Sequence, residues 1–292
     1  MNKIKTNNIS VKTIFRTAFT EYIKILTDPR FIIVGMLLLV TKNLVIDPLV
    51  QRSVKYGEPL NIAEPFIAVC NCPALLMFIP GVFIILIADF PDISGHTLFM
   101  IKRSGKINWL LGQLSAVLLY ILTYMAVIFI GCCVFVYKNS FWGLNWSDVI
   151  TKYGSRFPNE KNGFEAELLP SNLYNQMNFF SAFLHTVLLL ILYMFLIALI
   201  LMMFRVLNLK IAGVFSAFAV VAAGLLTVTT GSEIRWAFPS AHAITWKHFT
   251  EVMRQPIVSM KTSYIYFAVL ILAFLILDIF LIKNINVNTS GE

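Results

Sequence analysis

The fold is decided by three consecutive stretches of the sequence: FIAVCNCPALLMFIPGVFIILIAD (66–89), DISGHTLFMIKRSGK (92–106) and an apolar run at 109–137. A helix needs about 20 apolar residues to cross the roughly 30 Å hydrocarbon core of a bilayer, and both apolar runs are long enough. The charged stretch between them interrupts this pattern. The sequence therefore predicts two membrane spans that are joined by a tight loop at one membrane surface.

The loop carries the signals of a short amphipathic helix. Ser94 can cap its start, Leu98 and Ile101 share one side, and Gly105 can end it. Cytoplasmic loops are enriched in Lys and Arg, and this loop is basic. Its basic residues are Lys102, Arg103 and Lys106. We therefore expect a cytoplasmic coupling loop at 92–106 that a soluble partner can bind and move together with both spans.

The composition is that of a membrane protein. The chain has 292 residues, of which 58% are hydrophobic and only 13% are charged, whereas a soluble domain has about 25% charged residues. The net charge of +8 does not indicate nucleic-acid binding, because the basic residues lie in loops and form no continuous stripe. We predict an all-α polytopic membrane protein in the cell membrane, with membrane lipid as its surroundings and no nucleic acid.

Along the whole chain, apolar runs predict six transmembrane helices within one transmembrane domain. The predicted spans are 31–50, 66–89, 109–137, 179–204, 211–230 and 264–282. An even number of spans places both termini on one side, and the short basic loops make that side cytoplasmic. Residues 138–178 and 231–263 are then external cap segments.

Residues 10–28 precede the spans and show helical amphipathicity. Apolar residues recur at helical spacing with basic residues opposite, Ser10 can cap the helix, and Asp28-Pro29 ends it. We expect an N-terminal interfacial helix on the cytoplasmic side. The alternative is a helix that packs on a soluble domain.

Several spans contain interruptions. Lys42 and Asn43 divide the first span, which either contains a polar site or ends early and re-enters. Pro65, Pro73 and Pro80 predict kinks in the second span. The third span is longer than a perpendicular crossing needs and should tilt or project outward.

The fifth span is rich in small residues. Gly213 with Ala217, and Ala219 with Ala223, are spaced four residues apart and so lie on common faces of a helix. Small residues at this spacing let another helix approach closely.

No enzymatic motif is complete. The sequence lacks GxxxxGK[ST], GxGxxG after a strand, HExxH and GxSxG, so we expect no nucleotide hydrolysis by this chain alone and no cofactor bound directly. The segment Phe238-Pro239-Ser240-Ala241-His242 is similar to the PSGH segment of lipid-phosphate phosphatases. The KxxxxxxRP and SRxxxxxHxxxD segments that this family also uses are absent, and the alternative is a simple Pro-Ser turn.

Polar residues within the spans are candidate site residues. Asn71 and His185 should face the bundle interior or a cavity, where they either line a substrate path or hydrogen-bond a neighbouring helix. Asp278 and Asp89 lie near the inner surface, where we expect contact with water or basic loops. The sequence shows no series of acids at depth of the kind that forms a proton relay.

The cysteines fall in the outer halves of the second and third spans. A disulfide is possible and metal binding is not excluded, but no His accompanies the thiols at ligand spacing. Small apolar filler is the favoured interpretation. The residues are Cys70, Cys72, Cys132 and Cys133.

The helix Val11–Leu26, the loop Asp92–Lys106 and the external segment Gly231–Ser263 together resemble the membrane subunits of ABC-2 type exporters. That resemblance implies a permease that pairs with a second copy or paralogue. Each permease of such a pair binds a cytoplasmic ATPase subunit, which carries ATP and Mg, and the ATPase drives a substrate outward. For this chain the resemblance implies that Leu98, Phe99 and Ile101 enter an apolar cleft of the ATPase, with Lys102 and Arg103 at its rim.

Three functions from different classes remain open at the level of sequence. An exporter permease would move an amphipathic peptide, antibiotic or lipid-like substrate, since its spans are rich in Phe, Leu and Met. A membrane phosphatase would require His242. A sensor subunit would associate with an ATPase without transporting anything.

Overall fold

The computed structural model describes residues 9–93, 95–160, 164, 168–250 and 256–284, without the side chains of residues 95, 96, 98 and 99. Within these ranges nearly all regular structure is helical, and two short strands, β1 (Leu60–Asn61) and β2 (Ser140–Phe141), pair in parallel. The helices are α1 (Val11–Leu26), α2 (Ile32–Thr41), α3 (Asp47–Tyr56), α4 (Glu64–Asn71), α5 (Leu75–Leu86), α6 (Gly95–Ser104), α7 (Lys106–Val136), α8 (Asp148–Arg156), α9 (Ser171–Tyr174), α10 (Phe179–Val206), α11 (Lys210–Thr229), α12 (Pro239–Ala243) and α13 (Met260–Asn284).

In the described part of the chain, five helical segments are long and apolar enough to cross a membrane: Pro29–Tyr56, Lys106–Asn139, Phe179–Val206, Lys210–Thr229 and Met260–Asn284. The pair α4 and α5 passes the same test jointly but bends by 83° at its break. The prediction of an all-α polytopic membrane protein is therefore confirmed, and the segments fall close to the predicted spans.

The first span differs most from the prediction. A π-helical segment, Lys42–Ile46, joins α2 to α3, so the helix continues to Tyr56 instead of ending at residue 50. Lys42 neither ends the helix nor makes it re-enter, because its Nζ lies 2.7 Å from a carboxylate oxygen of Asp47 and the ion pair satisfies both charges. Gly57 ends α3 with φ +88°, seven residues beyond the predicted end of the first span at residue 50.

The second span is broken at Cys72-Pro73-Ala74, between α4 and α5. Pro73 lacks an N–H, and the residue before a proline avoids helical angles, so the helix stops there as predicted. The other two prolines make no break. Pro65 occupies the first turn of α4, and Pro80 lies inside α5.

The broken pair runs from one end of the bundle to the other. Glu64 bonds Ser147 in the 138–178 segment, whereas Asp89 pairs with Arg30 beside α6. We call these two ends the cap end and the α6 end. The chain enters α4 at the cap end and leaves α5 at the α6 end.

The 138–178 segment folds onto the cap end, with β2 beside β1. The Arg52 guanidinium lies 4.7 Å from the ring centre of Tyr153, which attaches α8 to α3. Asn172 donates to the carbonyls of Trp246 and Phe249, at 3.0 and 3.1 Å. This segment therefore joins the first span to the chain between α11 and α13.

Helix α1 packs lengthwise along α7. A Cβ added at Gly112 would lie 2.7 Å from Cβ of Thr17, and the Tyr22 hydroxyl is 2.8 Å from that of Thr123. One apolar face of α1 is exposed while Ala18 is buried, and the position of α1 at a membrane interface stays a prediction. Its exposed apolar residues include Val11, Phe15, Phe19 and Ile23.

Candidate functional site

Helix α6 leads directly into α7, and Gly105 makes the turn with φ +87°. Among the predicted coupling residues, Lys102 and Arg103 are exposed, while the side chains of Leu98 and Phe99 lie outside the described residues. Ile101 is only 2% exposed and belongs to the hydrophobic core. Ile101 therefore contacts its own chain in this structure instead of being available to a partner.

The flanks of α6 are tied to the bundle by ion pairs. Asp89 lies 2.5 Å from Arg30 Nη2 and also contacts Lys210 Nζ, so it joins the beginnings of the first span and of α11. Hydrogen bonds, first from Lys210 and then from Arg30, hold the pKa of the Asp89 carboxyl below its ordinary value. The prediction that Asp89 contacts basic groups at this end is confirmed.

A second set of contacts holds the chain just before α6. Lys24 of α1 lies 2.6 Å from Asp92, and Arg205 Nε donates to the carbonyl of Pro91 at 3.1 Å. These contacts line a cleft of about 290 Å³. Its charged residues are Glu21, Lys24, Asp28, Asp89, Asp92 and Arg205. Displacement of α6 would therefore strain contacts to α1, the first span, α10 and α11.

Asn71 lies at the break of the second span, is fully buried and has every side-chain hydrogen-bonding position filled. Its Nδ2 donates to Ile67 O and Thr186 Oγ1, each at 2.9 Å. Its Oδ1 accepts from the amide and hydroxyl of Thr245, at 2.8 and 2.7 Å. Asn71 therefore joins α4, α10 and the segment that follows α12.

His185, the second residue predicted on a substrate path, is half-buried in α10. Its Nδ1 lies 2.7 Å from the Tyr264 hydroxyl in α13. The structure thus places both predicted path residues in helix-to-helix hydrogen bonds but does not bring them together, and their substrate role stays a prediction.

The interior of the bundle contains buried polar groups that have no hydrogen-bond partner among the described residues. Asp278 is fully buried, and neither carboxylate oxygen has a hydrogen-bond partner among the described residues. The same holds for both amide atoms of Gln113, Nε1 of Trp109 and the hydroxyl of Tyr120. Buried polar groups without partners are rare in proteins, and each calls for a water, an ion or a ligand.

Asp278 and Gln113 lie near the α6 end, where Lys106 Nζ donates to the Lys283 carbonyl at 2.7 Å and holds α7 beside α13. From that contact, the 1.5 Å rise per helical residue puts Asp278 about 7.5 Å and Gln113 about 10.5 Å along their helices. Asp278 thus lies near the α6 end, and the assignment of that end to the inner membrane surface stays a prediction. The predicted contact with water or basic loops is wrong, because α13 turns this residue into the protein.

The phosphatase-like segment is packed, not open. Ser240 is fully buried and lies 2.9 Å from the Tyr193 hydroxyl, while His242 contacts Ser263 and the Trp236 carbonyl. The hydroxyl and the imidazole therefore face different partners.

The four cysteines are free thiols. Cys70, Cys72 and Cys132 are buried within the core, in agreement with the interpretation as apolar filler.

Sequence reasoning missed two polar groups that the structure emphasises. Gln113 interrupts an apolar run, which is itself a signal of an interior position. Glu64 precedes the predicted second span, and its pairing with Ser147, 83 residues away, accompanies its complete burial.

No protein-family model, no curated protein and no solved structure matches this chain. The residues of the chain itself are therefore the guide to its function.

Proposed function

We propose that this chain is the membrane-spanning permease subunit of an ABC exporter, with the α4–α5 pair as a broken sixth span and both termini in the cytoplasm. A separate ATPase subunit binds ATP and Mg, and a second permease copy or paralogue completes the pore. The observation that carries the proposal is the placement of α6. It presents Lys102 and Arg103 outward, and its flanks are bonded to four other elements.

The mechanism follows from that attachment. An ATPase can shift the permease only if it binds two conformations of the permease differently. Movement of α6 would be transmitted through Asp89 to the first span and α11, and through Asp92 to α1. One small helix is thus able to move the α6 end of the bundle as a unit.

The cargo path is proposed at the unpartnered groups of α7 and α13. Asp278, Gln113 and Trp109 offer a carboxylate, an amide and an indole N–H within an otherwise apolar interior. Such a site suits the polar end of an amphipathic molecule whose remainder is apolar. Peptides, antibiotics and lipid-like molecules all have this character.

The test replaces Lys102 and Arg103 together by glutamate, and the chain is purified from the membranes of its own host. We expect ATPase activity to copurify with the unmodified chain and to fall at least tenfold with the double variant. The matched control is Lys261→Glu, which reverses an exposed charge at the first turn of α13. The proposal fails if no ATPase copurifies with the unmodified chain, or if both variants retain the activity.

A further inference from the structure

Three buried side chains near the start of α13 make four short hydrogen-bond contacts, but in their neutral forms they have only three hydrogens to donate. His242 lies in the last turn of α12, His248 lies in the 3-10 turn that follows, and Ser263 lies in the first turn of α13. All three side chains are buried, with exposures of 3%, 0% and 0%. The Ser263 Oγ lies 2.8 Å from His242 Nδ1 and 2.7 Å from His248 Nε2.

The opposite nitrogen of each imidazole faces a backbone carbonyl. His242 Nε2 is 2.8 Å from the Trp236 oxygen, and His248 Nδ1 is 3.0 Å from the Ile244 oxygen. A carbonyl oxygen only accepts hydrogen bonds, so each of these nitrogens must carry the hydrogen of its ring. The two nitrogens that face Ser263 are then bare acceptors when both histidines are neutral.

The Ser263 hydroxyl cannot donate a hydrogen bond to both of these imidazole nitrogens. This hydroxyl has one hydrogen, which can be donated to either imidazole but not to both at once. Moving a ring hydrogen to the nitrogen facing Ser263 only transfers the mismatch to a carbonyl. Two neutral imidazoles and one hydroxyl supply three hydrogens for four short contacts.

One additional proton completes the set. An imidazolium donates from both nitrogens, so it serves its carbonyl and the Ser263 oxygen, while the Ser263 hydroxyl donates to the other imidazole. We propose that His242, Ser263 and His248 form a binding site for a single proton, and that this proton fastens the segment 239–248 to α13. The proposal does not depend on the exporter function.

The surroundings decide where on the pH scale the proton enters. Within the described ranges, the titratable groups around the pair are Tyr266 of α13, whose ring centre lies 4.0 Å from that of His242, His185 of α10, and Tyr193 of α10, which bonds the nearby Ser240. The fifth span contributes Gly224 and, between residues 211 and 229, no titratable group. Arg235 and Lys247 flank the segment, and each lies over a tryptophan ring.

Since no carboxylate is among these groups, burial dominates. It lowers the pKa of His242 and lowers that of His248 to about 4. The site is therefore expected to be empty at neutral pH and to fill only in acid. With the site empty, one of the four contacts lacks a hydrogen and the attachment of the segment is weaker.

The primary test measures the proton directly. The full-length chain has four histidines, and ¹⁵N labelling of their rings reports the protonation and tautomer of each during a titration from pH 7.5 to 4. We expect His242 and His248 to respond together and to take up one proton between them, with a midpoint below 6.5. Two independent titrations, or two neutral rings down to pH 4, would overturn the proposal.

Variants separate the proton from packing. His242→Asn and His248→Gln each place an amide near the nitrogen that faces Ser263, and its NH₂ group can donate to the hydroxyl without any added proton. We expect the remaining histidine to stay neutral to a pH at least one unit lower than in the unmodified pair. His185→Gln is the control, because its partner Tyr264 has a hydroxyl that can donate to the neutral ring.

Trp236 provides a second readout, since its ring centre lies 5.3 Å from His242 and 5.2 Å from His248. An imidazolium at this distance should quench the indole fluorescence with the midpoint seen by NMR. Quenching that persists unchanged in both amide variants would contradict the site. If a variant does not fold, the titration of the unmodified chain still decides.

Discussion

The carboxylate of Glu64 is held by Ser147 through two hydrogen bonds, 2.6 Å from the backbone amide and 2.8 Å from the hydroxyl. The backbone amide of Asn61 donates a third hydrogen bond to this carboxylate, at 2.9 Å. The side chain is fully buried, and these bonds connect the start of α4 to the 138–178 segment. This carboxylate therefore contributes to the attachment of the 138–178 segment, together with the contacts of Arg52 and Asn172.

Glu64→Ala should destabilise the protein by about 3 kcal/mol, because it leaves two buried amides and a buried hydroxyl without an acceptor. Thermal unfolding in detergent, followed by tryptophan fluorescence, measures the change. Glu58→Ala is the matched control, because Glu58 is exposed at the same end. Equal effects of the two substitutions would show that the buried bonds contribute little.

Gly224→Ala should weaken the packing of α12 against α11. A Cβ at this position would overlap Oγ of Ser240 and lie 2.7 Å from its Cβ. Overpacking of this kind costs about 1–3 kcal/mol. Gly35→Ala is the control, since nothing lies within 4 Å of the added methyl there. The thermal unfolding midpoint of Gly224→Ala should lie below that of Gly35→Ala. Equal midpoints would contradict the close approach of Ser240 to Gly224.

Asp89→Asn should loosen the α6 end by roughly 1 kcal/mol or less, because the carboxylate is 42% exposed and solvent screens its two ion pairs. The folded-state pKa of Asp89 lies below the ordinary 3.8. Its contribution is therefore complete well above pH 3.8 and is lost as the pH falls through the lowered value.

The measurement for Asp89 is the unfolding midpoint of both proteins at pH 7 and pH 3. The difference between them should shrink in acid and in high salt, because salt screens exposed charges. A difference that grows in acid would reverse the sign of the predicted linkage.

Asp278→Leu should leave stability unchanged or raise it by about 1–3 kcal/mol, because a buried carboxylate without a partner is replaced by an apolar side chain. Under the proposed function, an amphipathic cationic peptide should stimulate the copurifying ATPase less with this variant than with the unmodified chain. Thermal unfolding checks the first expectation independently of any cargo. A loss of more than 2 kcal/mol would show that Asp278 serves a structural partner.

The membrane helices could be predicted from the sequence because about 20 apolar residues in a row have one common solution in lipid. A kink at Pro73 could be predicted because proline lacks an N–H, but the sequence did not distinguish Pro73 from Pro65 and Pro80, which make no break. The sequence could not decide between the two alternatives at Lys42, because its pairing with Asp47 lies in a π-helical segment that no periodicity indicates.

Long-range pairing could not be predicted. Glu64 and Ser147 are 83 residues apart, and Asn71 and Thr245 are 174 apart. A polar residue in an apolar run indicates an interior position but not its partner. The same limit applies to Asp278, whose depth followed from position along the helix while its burial depended on the rotation of α13.

The break between α4 and α5 at Pro73 has a consequence for biosynthesis. The Asn71 carbonyl beside this break accepts its hydrogen bond from Trp246 Nε1, 175 residues later in the chain. A ribosome delivers that indole only after five-sixths of the polypeptide has been made. The pair α4–α5 is therefore synthesised early but completed late, and a nascent chain stalled before residue 246 would hold a hinge that lacks this hydrogen bond.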